Sequence, residues 1–257
     1  MTKKRSRGRR ILRWTLGIVG GLLVAAVIGI LVYSQVGVMA AEPEPLAAVR
    51  ADDRVAITDD AGAIVMTPAS PASDADDPAG DVGLVFIPGA KVDPWAYASI
   101  LSGLVTDDGL TVVITKPWLN LAFFDLRPLS SFTDLAPEVT SWIVGGHSLG
   151  GVRACQLATD ADALLLLGSY CANDLSSSGL PVLSISGTED GLSTPEKIDA
   201  ARPLLPADAV LVAIPGASHA SFGDYGAQPG DGVATATDAE VRAVVTTRVA
   251  DLARLLG

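Results

Sequence analysis

The stretch that most constrains the fold covers residues 141–151 and reads Ser-Trp-Ile-Val-Gly-Gly-His-Ser-Leu-Gly-Gly. Strand-favouring residues lead into Gly-His-Ser-Leu-Gly, and a helix-compatible segment follows. A strand-to-helix turn this tight strains the backbone of its central residue, Ser148, and only glycine on either side avoids a clash. The pattern predicts a nucleophilic Ser148 exposed above a sheet, and the alternative is a glycine-rich turn with a structural serine.

Around this turn, apolar runs alternate with helix-compatible segments. Strands are predicted at 82–87, 110–115, 142–144, 163–168, 180–186 and 209–214, helices at 94–105, 149–159, 195–204 and 238–256, and an edge hairpin at 54–58 and 63–67. Prolines limit residues 123–138 to a short helix at best, and residues 68–80 read as a solvated loop. The alternation predicts an α/β fold: a mainly parallel sheet with helices on both faces and the functional site at the carboxyl ends of the strands.

The charges are unevenly distributed along the 257 residues. Seven of the 18 Lys and Arg residues precede Trp14, whereas all 29 acidic residues lie at or after Glu42. The eleven cations and 29 acids after residue 13 leave a net charge of −18. Nucleic-acid binding needs clustered cations, so we expect no nucleic-acid partner for this acidic body.

An apolar segment without charge covers residues 14–38. Trp14 and Tyr33 would lie about 28 Å apart along a helix, close to the hydrocarbon thickness of a bilayer. The segment therefore predicts a transmembrane signal anchor, with a cytoplasmic basic arm at 1–13 and the rest of the chain outside the cell. The alternative is a signal peptide cleaved near residues 38–40, which also exports the domain.

Two further segments complete the predicted domain organisation. Residues 39–50 read as a linker, in which Glu-Pro-Glu-Pro at 42–45 predicts a stiff, extended spacer. The globular domain is predicted at 51–257. Its tail at 222–235 is expected to fold back as a rim, and no insertion is long enough for a separate lid domain.

A serine nucleophile needs a base and an acid that orients the base. The chain has two histidines. His147 lies inside the turn and is expected to be structural, so His219, after the last strand, is the predicted base. The predicted acid is Asp190, directly after the strand at 180–186, with Glu189 and Asp174 as alternatives.

The N–H groups of Ala90 and Leu149 are predicted to bind the oxyanion, because Leu149 follows the nucleophile and Ala90 follows a glycine after a strand. Lys91, Lys116 and Asn120 are expected on the same rim, either touching substrate or capping strand ends.

These motifs resemble those of the α/β-hydrolases. The resemblance is closest to a small single-domain group related to dienelactone hydrolase-like proteins, α/β-hydrolase family 5, and covers about residues 50–257. The motifs that carry it are Val-Phe-Ile-Pro-Gly-Ala-Lys-Val at 85–92, Lys-Pro-Trp-Leu-Asn-Leu at 116–121, Gly-His-Ser-Leu-Gly-Gly at 146–151, Gly-Thr-Glu-Asp-Gly at 187–191 and His-Ala-Ser-Phe-Gly-Asp-Tyr-Gly at 219–226. It implies an α/β-hydrolase fold. Dienelactone hydrolases use a cysteine nucleophile where this chain has Ser148, so dienelactone is not the expected substrate.

The sequence therefore predicts a membrane-anchored serine hydrolase that acts on a small-molecule or lipid ester. An acyltransferase with the same acyl-enzyme, or a non-catalytic binding module, are the alternatives. We expect no cofactor and no metal, since no cluster has metal-ligand spacing. Cys155 and Cys171, the two cysteines, either pair or remain separate thiols. The sequence leaves the oligomeric state open.

Overall fold

The structure is a computed structural model that describes residues 4–70 and 81–257. It divides into two units, one ending at Val38 and the other covering Met39–Gly257. Most of the loop predicted at 68–80 lies outside the described residues, as do the first three residues of the basic arm.

The first unit contains helix α1 (Lys4–Gln35). The helix begins within the basic arm and ends three residues before the predicted end of the span. Its stretch Gly8–Gln35 has the length and apolar composition to cross a membrane, and its large apolar side chains, including Trp14 and Tyr33, are exposed. This single apolar helix fits a single-pass membrane anchor or a signal sequence.

The prediction of an extended spacer at 42–45 is wrong. Helix α2 (Pro43–Arg50) starts in this segment and continues to the end of the predicted linker. Proline in the first turn suits a helix start, because its missing N–H would have no intrahelical partner, and Glu44 complements the positive end of the helix dipole. Met39, the first residue of the predicted linker, forms a parallel β-bridge with Val92.

The domain is built on one eight-stranded sheet. Its strands are β1 (Val55–Asp59), β2 (Ala63–Pro68), β3 (Val82–Ile87), β4 (Thr111–Thr115), β5 (Ser141–His147), β6 (Ala163–Leu167), β7 (Val182–Gly187) and β8 (Val210–Ile214). Their spatial order is β1-β2-β4-β3-β5-β6-β7-β8. Only the pairings of β1 with β2 and of β2 with β4 are antiparallel, so the predicted mainly parallel sheet with an edge hairpin is confirmed.

Helices cover both faces of the sheet. The remaining helices are α3 (Ala98–Thr106), α4 (Ser130–Thr133), α5 (Leu149–Leu157), α6 (Pro195–Ala201) and α7 (Asp238–Ala253). Apolar side chains of α2, α3 and α7 form the core on one face, and those of α4 and α5 contribute to the core on the other. A capping box of Thr237 and Glu240 starts α7.

The central strands place the loops that carry the predicted site residues. β3 is buried along its whole length, which explains its continuous apolar sequence. It runs parallel to β5, with Ile87 opposite Gly146, and β5 runs parallel to β6, with His147 opposite Leu167. The carboxyl ends of β3, β5 and β6 therefore end side by side at one edge of the sheet.

Candidate functional site

Ser148 occupies a strained turn between β5 and α5. Its backbone has φ 52° and ψ −122°, which a residue with a side chain rarely adopts and which costs on the order of 1–3 kcal/mol. The flanking glycines are sterically required. A Cβ on Gly150 would lie 2.0 Å from the carbonyl oxygen of Ile87, and one on Gly146 would lie 2.5 Å from the carbonyl carbon of Gly150. This is the geometry that the sequence predicts for a nucleophile turn.

Contacts from β6 and the loop after it hold this strained turn in place. The Ser148 N–H donates to the carbonyl oxygen of Leu167 at 3.1 Å. The Ser148 carbonyl oxygen accepts from the Ser169 hydroxyl at 2.7 Å. Both backbone polar groups of Ser148 are thus satisfied, so the surrounding structure fixes the unusual conformation of the turn.

His219 and Asp190 form a buried pair. Nδ1 of His219 lies 2.8 Å from Oδ2 of Asp190, and the two residues are 1% and 3% exposed. The other carboxylate oxygen of Asp190 accepts from the N–H groups of Leu192 at 2.9 Å and Ser193 at 2.7 Å. These bonds fix the carboxylate, and a carboxylate so placed holds the imidazole in the tautomer with the proton on Nδ1.

The alternative acids make other contacts. The carboxylate of Asp174 accepts from the N–H of Ser176 in its own turn, and Glu189 is exposed. Neither forms the hydrogen bond to His219 that Asp190 forms. Of the three candidates, the structure brings Asp190 to the histidine.

The pair and the serine turn converge at the end of β6. A Cβ on Gly168 would lie 3.1 Å from Oδ2 of Asp190 and 3.3 Å from Nδ1 of His219. Gly168 directly follows Leu167, which binds the Ser148 N–H. Among the described residues no hydrogen bond joins the Ser148 hydroxyl to the His219 ring. In free enzymes such a bond is often long, and it tightens when substrate binds.

Asp231 is a residue of this site that the sequence reasoning missed. Its carboxylate accepts from four backbone N–H groups: those of Gly191 at 3.0 Å, His219 at 3.0 Å, Ala220 at 2.8 Å and Gly232 at 2.7 Å. Burial acts to raise the pKa of Asp231, but these N–H bonds outweigh burial and lower the pKa. The carboxylate thereby ties the loop after Asp190 to the loop of His219. The sequence placed Asp231 only within the tail at 222–235, which is predicted to fold back as a rim.

His147 packs against His219, with the two ring planes tilted by 45°, and is hydrogen-bonded to a tyrosine. Its ring centroid lies 4.4 Å from that of His219, and its Nδ1 lies 2.9 Å from the hydroxyl of Tyr97. That hydroxyl also accepts from the Gly89 N–H at 3.0 Å, so it can donate its own proton to His147. Burial, with the proximity of His219, lowers the pKa of His147 well below 6.5, and the ring is therefore neutral at neutral pH.

Two backbone N–H groups are available near the serine. Leu149 is the first residue of α5, where an N–H has no partner within the helix. Among the described residues, the Ala90 N–H also has no hydrogen-bond partner. Ile87 and Gly146 are register partners on the two parallel strands. Ala90 lies three residues after Ile87, and Leu149 lies three residues after Gly146. The two strands thus end in loops that present both predicted oxyanion donors at the same edge of the sheet.

The residues predicted on the rim separate into two places. The Lys91 N–H donates to the carbonyl oxygen of Asn120 at 2.8 Å, and both residues have positive φ. The Lys116 ammonium instead pairs with the carboxylate of Asp59 and the carbonyl oxygen of Asp60, at the turn between β1 and β2. This contact gives Lys116 a structural role in the hairpin. Substrate contact by Lys91, Lys116 and Asn120 remains a prediction.

Cys155 and Cys171 form a disulfide, with Cα atoms 5.6 Å apart. Of the two alternatives that the sequence left open, the structure has the paired cysteines. The bond joins α5, the helix after Ser148, to the loop after β6. Within residues 4–70 and 81–257, no group of three His, Cys, Asp or Glu residues could hold a metal ion.

Comparisons with known proteins agree with this architecture. One solved structure that superposes on the chain is an esterase domain from a Rhodothermus marinus protein. It is 17% identical, with a TM-score of 0.54, and the match covers 75% of this chain and 92% of that one. Another is Est1E from Butyrivibrio proteoclasticus, which is 15% identical, with a TM-score of 0.54 and coverage of 77% of this chain and 98% of that one. A membrane phospholipase A described as a bacterial virulence factor also superposes. It is 13% identical, with a TM-score of 0.51, and the match covers 93% of this chain and 99% of that one. At these identities the likeness shows the fold alone.

A search of curated proteins gave no match. The family described as "Alpha/beta hydrolase family" matches residues 83–243, more than half of the chain and all the strands from β4 to β8. The matched region contains the serine turn, the buried Asp190–His219 pair and both loops with available N–H groups. On this match and this fold, the chain belongs to the alpha/beta hydrolase family.

Proposed function

We propose that this protein is a serine hydrolase that cleaves carboxylic esters through an acyl-enzyme, with Ser148 as nucleophile, His219 as base and Asp190 as the acid. The observation that carries the proposal is the buried 2.8 Å contact between Nδ1 of His219 and Oδ2 of Asp190, beside the strained Ser148 turn. A buried carboxylate on one ring nitrogen leaves the other, Nε2, as the proton acceptor.

In the first half of the reaction, Oγ of Ser148 attacks the ester carbonyl carbon while Nε2 of His219 takes the hydroxyl proton. The carbonyl oxygen becomes an alkoxide, and the N–H groups of Ala90 and Leu149 bind it. The positive end of α5 adds to this stabilisation. The carboxylate of Asp190 stabilises the imidazolium that forms on His219.

The tetrahedral intermediate then collapses. The carbon–oxygen bond to the alcohol breaks, and the leaving oxygen takes the proton from Nε2 of His219, so that an alcohol departs and Ser148 carries the acyl group. Water attacks this acyl-enzyme and gives its proton to the same Nε2. Collapse of the second intermediate releases the carboxylic acid and returns the proton to Ser148.

We further propose that α1 is an uncleaved anchor and that the domain lies outside the cytoplasm. Two observations support this: the basic residues before Trp14 favour a cytoplasmic N-terminus, and the Cys155–Cys171 disulfide is typical of an oxidising compartment. Alkaline carbonate extraction of membranes tests the anchor. Release of the protein with residues 1–40 still attached would contradict it.

Hydrolysis of p-nitrophenyl acetate by the full chain in detergent tests the proposed activity. We expect Ser148→Ala to lower kcat by on the order of 10⁴- to 10⁶-fold, because the acyl-enzyme cannot form. Ser177→Ala, at an exposed serine, is the matched control and should leave kcat unchanged. A loss below tenfold for Ser148→Ala would remove Ser148 from its role. Added alcohol separates hydrolysis from transfer, since a transferase would form the new ester in preference to the acid.

A further inference from the structure

An exposed apolar segment follows β4. Four large side chains within nine residues are exposed: Trp118 by 52%, Phe123 by 52%, Phe124 by 43% and Leu126 by 74%. We name residues 118–126 the aromatic rim. Single exposed apolar residues are ordinary on protein surfaces, but four in one short segment mark a binding surface.

The aromatic rim exposes no free charge. Its one charged residue, Asp125, is 6% exposed and pairs with Arg127, whose Nε lies 2.8 Å from Oδ1 of that carboxylate. The body outside the basic arm carries a net charge of −18. An uncharged aromatic surface on so acidic a body is suited to an apolar partner.

Backbone contacts hold the aromatic rim in a fixed conformation. Leu119 and Asn120 both have positive φ, 59° and 54°, and the Asn120 carbonyl oxygen accepts from the Lys91 N–H at 2.8 Å. The guanidinium of Arg127 donates to the carbonyl oxygen of Lys116 at 2.8 Å, which closes the segment at its other end. Its apolar side chains are therefore presented by an ordered loop.

The aromatic rim adjoins the proposed catalytic site. Lys91, whose N–H binds the Asn120 carbonyl oxygen in the rim, directly follows Ala90, one of the two proposed oxyanion donors. Its turn Ala122–Phe124 contacts α5, whose first residue is the other donor, Leu149. The aromatic rim is therefore linked to the loops of both proposed oxyanion donors.

The chain also connects this edge to α1. The Met39 N–H donates to the carbonyl oxygen of Lys91, and the Met39 carbonyl oxygen accepts from the Asp93 N–H, each at 2.8 Å. Helix α1 ends at Gln35, four positions before Met39. In sequence, only residues 36–38 therefore separate the end of α1 from Met39, which binds the loop of the proposed oxyanion hole.

From these observations we infer that the aromatic rim docks on the surface of the bilayer that holds α1, and that the substrates are apolar esters resident in that bilayer. Tryptophan and phenylalanine side chains bind well at the boundary between lipid headgroups and acyl chains. The ester passes from the membrane across the aromatic rim to Ser148. The inference about the substrate rests on the proposed function, whereas the docking surface does not.

The first experiment compares two double variants of the full chain reconstituted in phosphatidylcholine vesicles. Phe123→Ser with Phe124→Ser removes two exposed side chains of the aromatic rim. Val210→Ser with Leu211→Ser removes two exposed side chains of β8, at the opposite edge of the sheet from β1. Each is assayed on water-soluble p-nitrophenyl acetate and on a long-chain ester embedded in the vesicles.

We expect the Phe123/Phe124 variant to lose at least tenfold in rate on the embedded ester and less than twofold on p-nitrophenyl acetate. The Val210/Leu211 variant should stay within twofold of wild type on both. An unchanged rate on the embedded ester, or an equal loss on both esters in the Phe123/Phe124 variant, would overturn the inference.

The second experiment measures docking without catalysis. In a Trp14→Phe background, vesicles of brominated phosphatidylcholine should quench the fluorescence of Trp118, and Trp118→Phe should abolish this quenching. Absence of Trp118 quenching would overturn the proposal that the aromatic rim docks on the bilayer. If wild type hydrolyses neither ester, the proposed function fails, and the quenching result still decides whether the aromatic rim contacts lipid.

Discussion

Oδ2 of Asp190 lies 2.8 Å from Nδ1 of His219, although the two residues are 29 positions apart in the chain. Asp190 follows β7 and His219 follows β8, and these strands are parallel neighbours. Their pairing brings the two loops together at the carboxyl edge of the sheet. The contact depends on the fold, and its burial excludes water from the carboxylate.

We predict that Asp190→Asn lowers kcat by about 10⁴-fold, because an amide favours the wrong tautomer of His219 and does not stabilise the imidazolium. Steady-state hydrolysis of p-nitrophenyl acetate measures the effect. Glu189→Gln is the matched control, since this neighbouring carboxylate is exposed, and it should change kcat by less than threefold. Similar losses in both variants would contradict the role of Asp190.

Tyr97→Phe should lower kcat by on the order of tenfold with little change in KM. The Tyr97 hydroxyl accepts from the Gly89 N–H, and its loss leaves that buried donor unsatisfied beside Ala90. An unpaired buried donor costs about 1–3 kcal/mol, and displacement of Ala90 weakens a bond made mainly in the transition state. Tyr170→Phe serves as the control. A change confined to KM would argue against this reading.

Asp231→Asn should destabilise the domain by about 2 kcal/mol at pH 7, because an amide cannot accept all four N–H bonds that the carboxylate accepts. Chemical denaturation of the full chain in detergent measures the difference. Asp199→Asn, at an exposed residue of α6, should leave the free energy of unfolding unchanged.

The effect of Asp231 should depend on pH. Burial opposes the shift, but the N–H bonds hold the folded pKa of Asp231 below its ordinary value of 3.8. Such a group contributes its full stabilisation above the unfolded pKa and loses it as pH falls through the folded pKa. The difference in unfolding free energy between wild type and Asp231→Asn should therefore shrink below about pH 4. A difference that grew on acidification would contradict the assignment.

Replacement of Cys155 and Cys171 by alanine should lower Tm by about 6–12 °C. The disulfide closes a loop with a sequence separation of 16, which is worth about 3 kcal/mol, and each kcal/mol corresponds to about 2–4 °C in a domain of this size. Thermal unfolding measures the change. In denatured, unreduced wild type, iodoacetamide should modify no cysteine, and two alkylated thiols would show that the bond is absent.

Much of the fold could be predicted because its signals are local. The fully buried strands read as continuous apolar runs, and β3 is one of them. Steric limits at Gly146 and Gly150 leave a recognisable pattern around Ser148. The order of Ser148, Asp190 and His219 followed from placing each candidate at the end of a strand.

The features that could not be predicted depend on contacts between distant parts of the chain. Asp231 binds the N–H of Gly191, 40 positions away, and no local pattern distinguishes it from an ordinary turn aspartate. The cysteines pair because α5 and the loop after β6 come together in the folded domain. In α2, proline favours a helix start as well as an extended spacer, so the composition of residues 42–45 alone did not decide between them.

The central claim is that Ser148 is a nucleophile activated by His219. The most direct test is to treat the full chain in detergent with a fluorophosphonate probe and locate the adduct by peptide mass spectrometry. We predict one adduct, on the peptide that contains Ser148, and no adduct in Ser148→Ala. An adduct on another residue, or no labelling of a folded wild-type protein, would contradict the account.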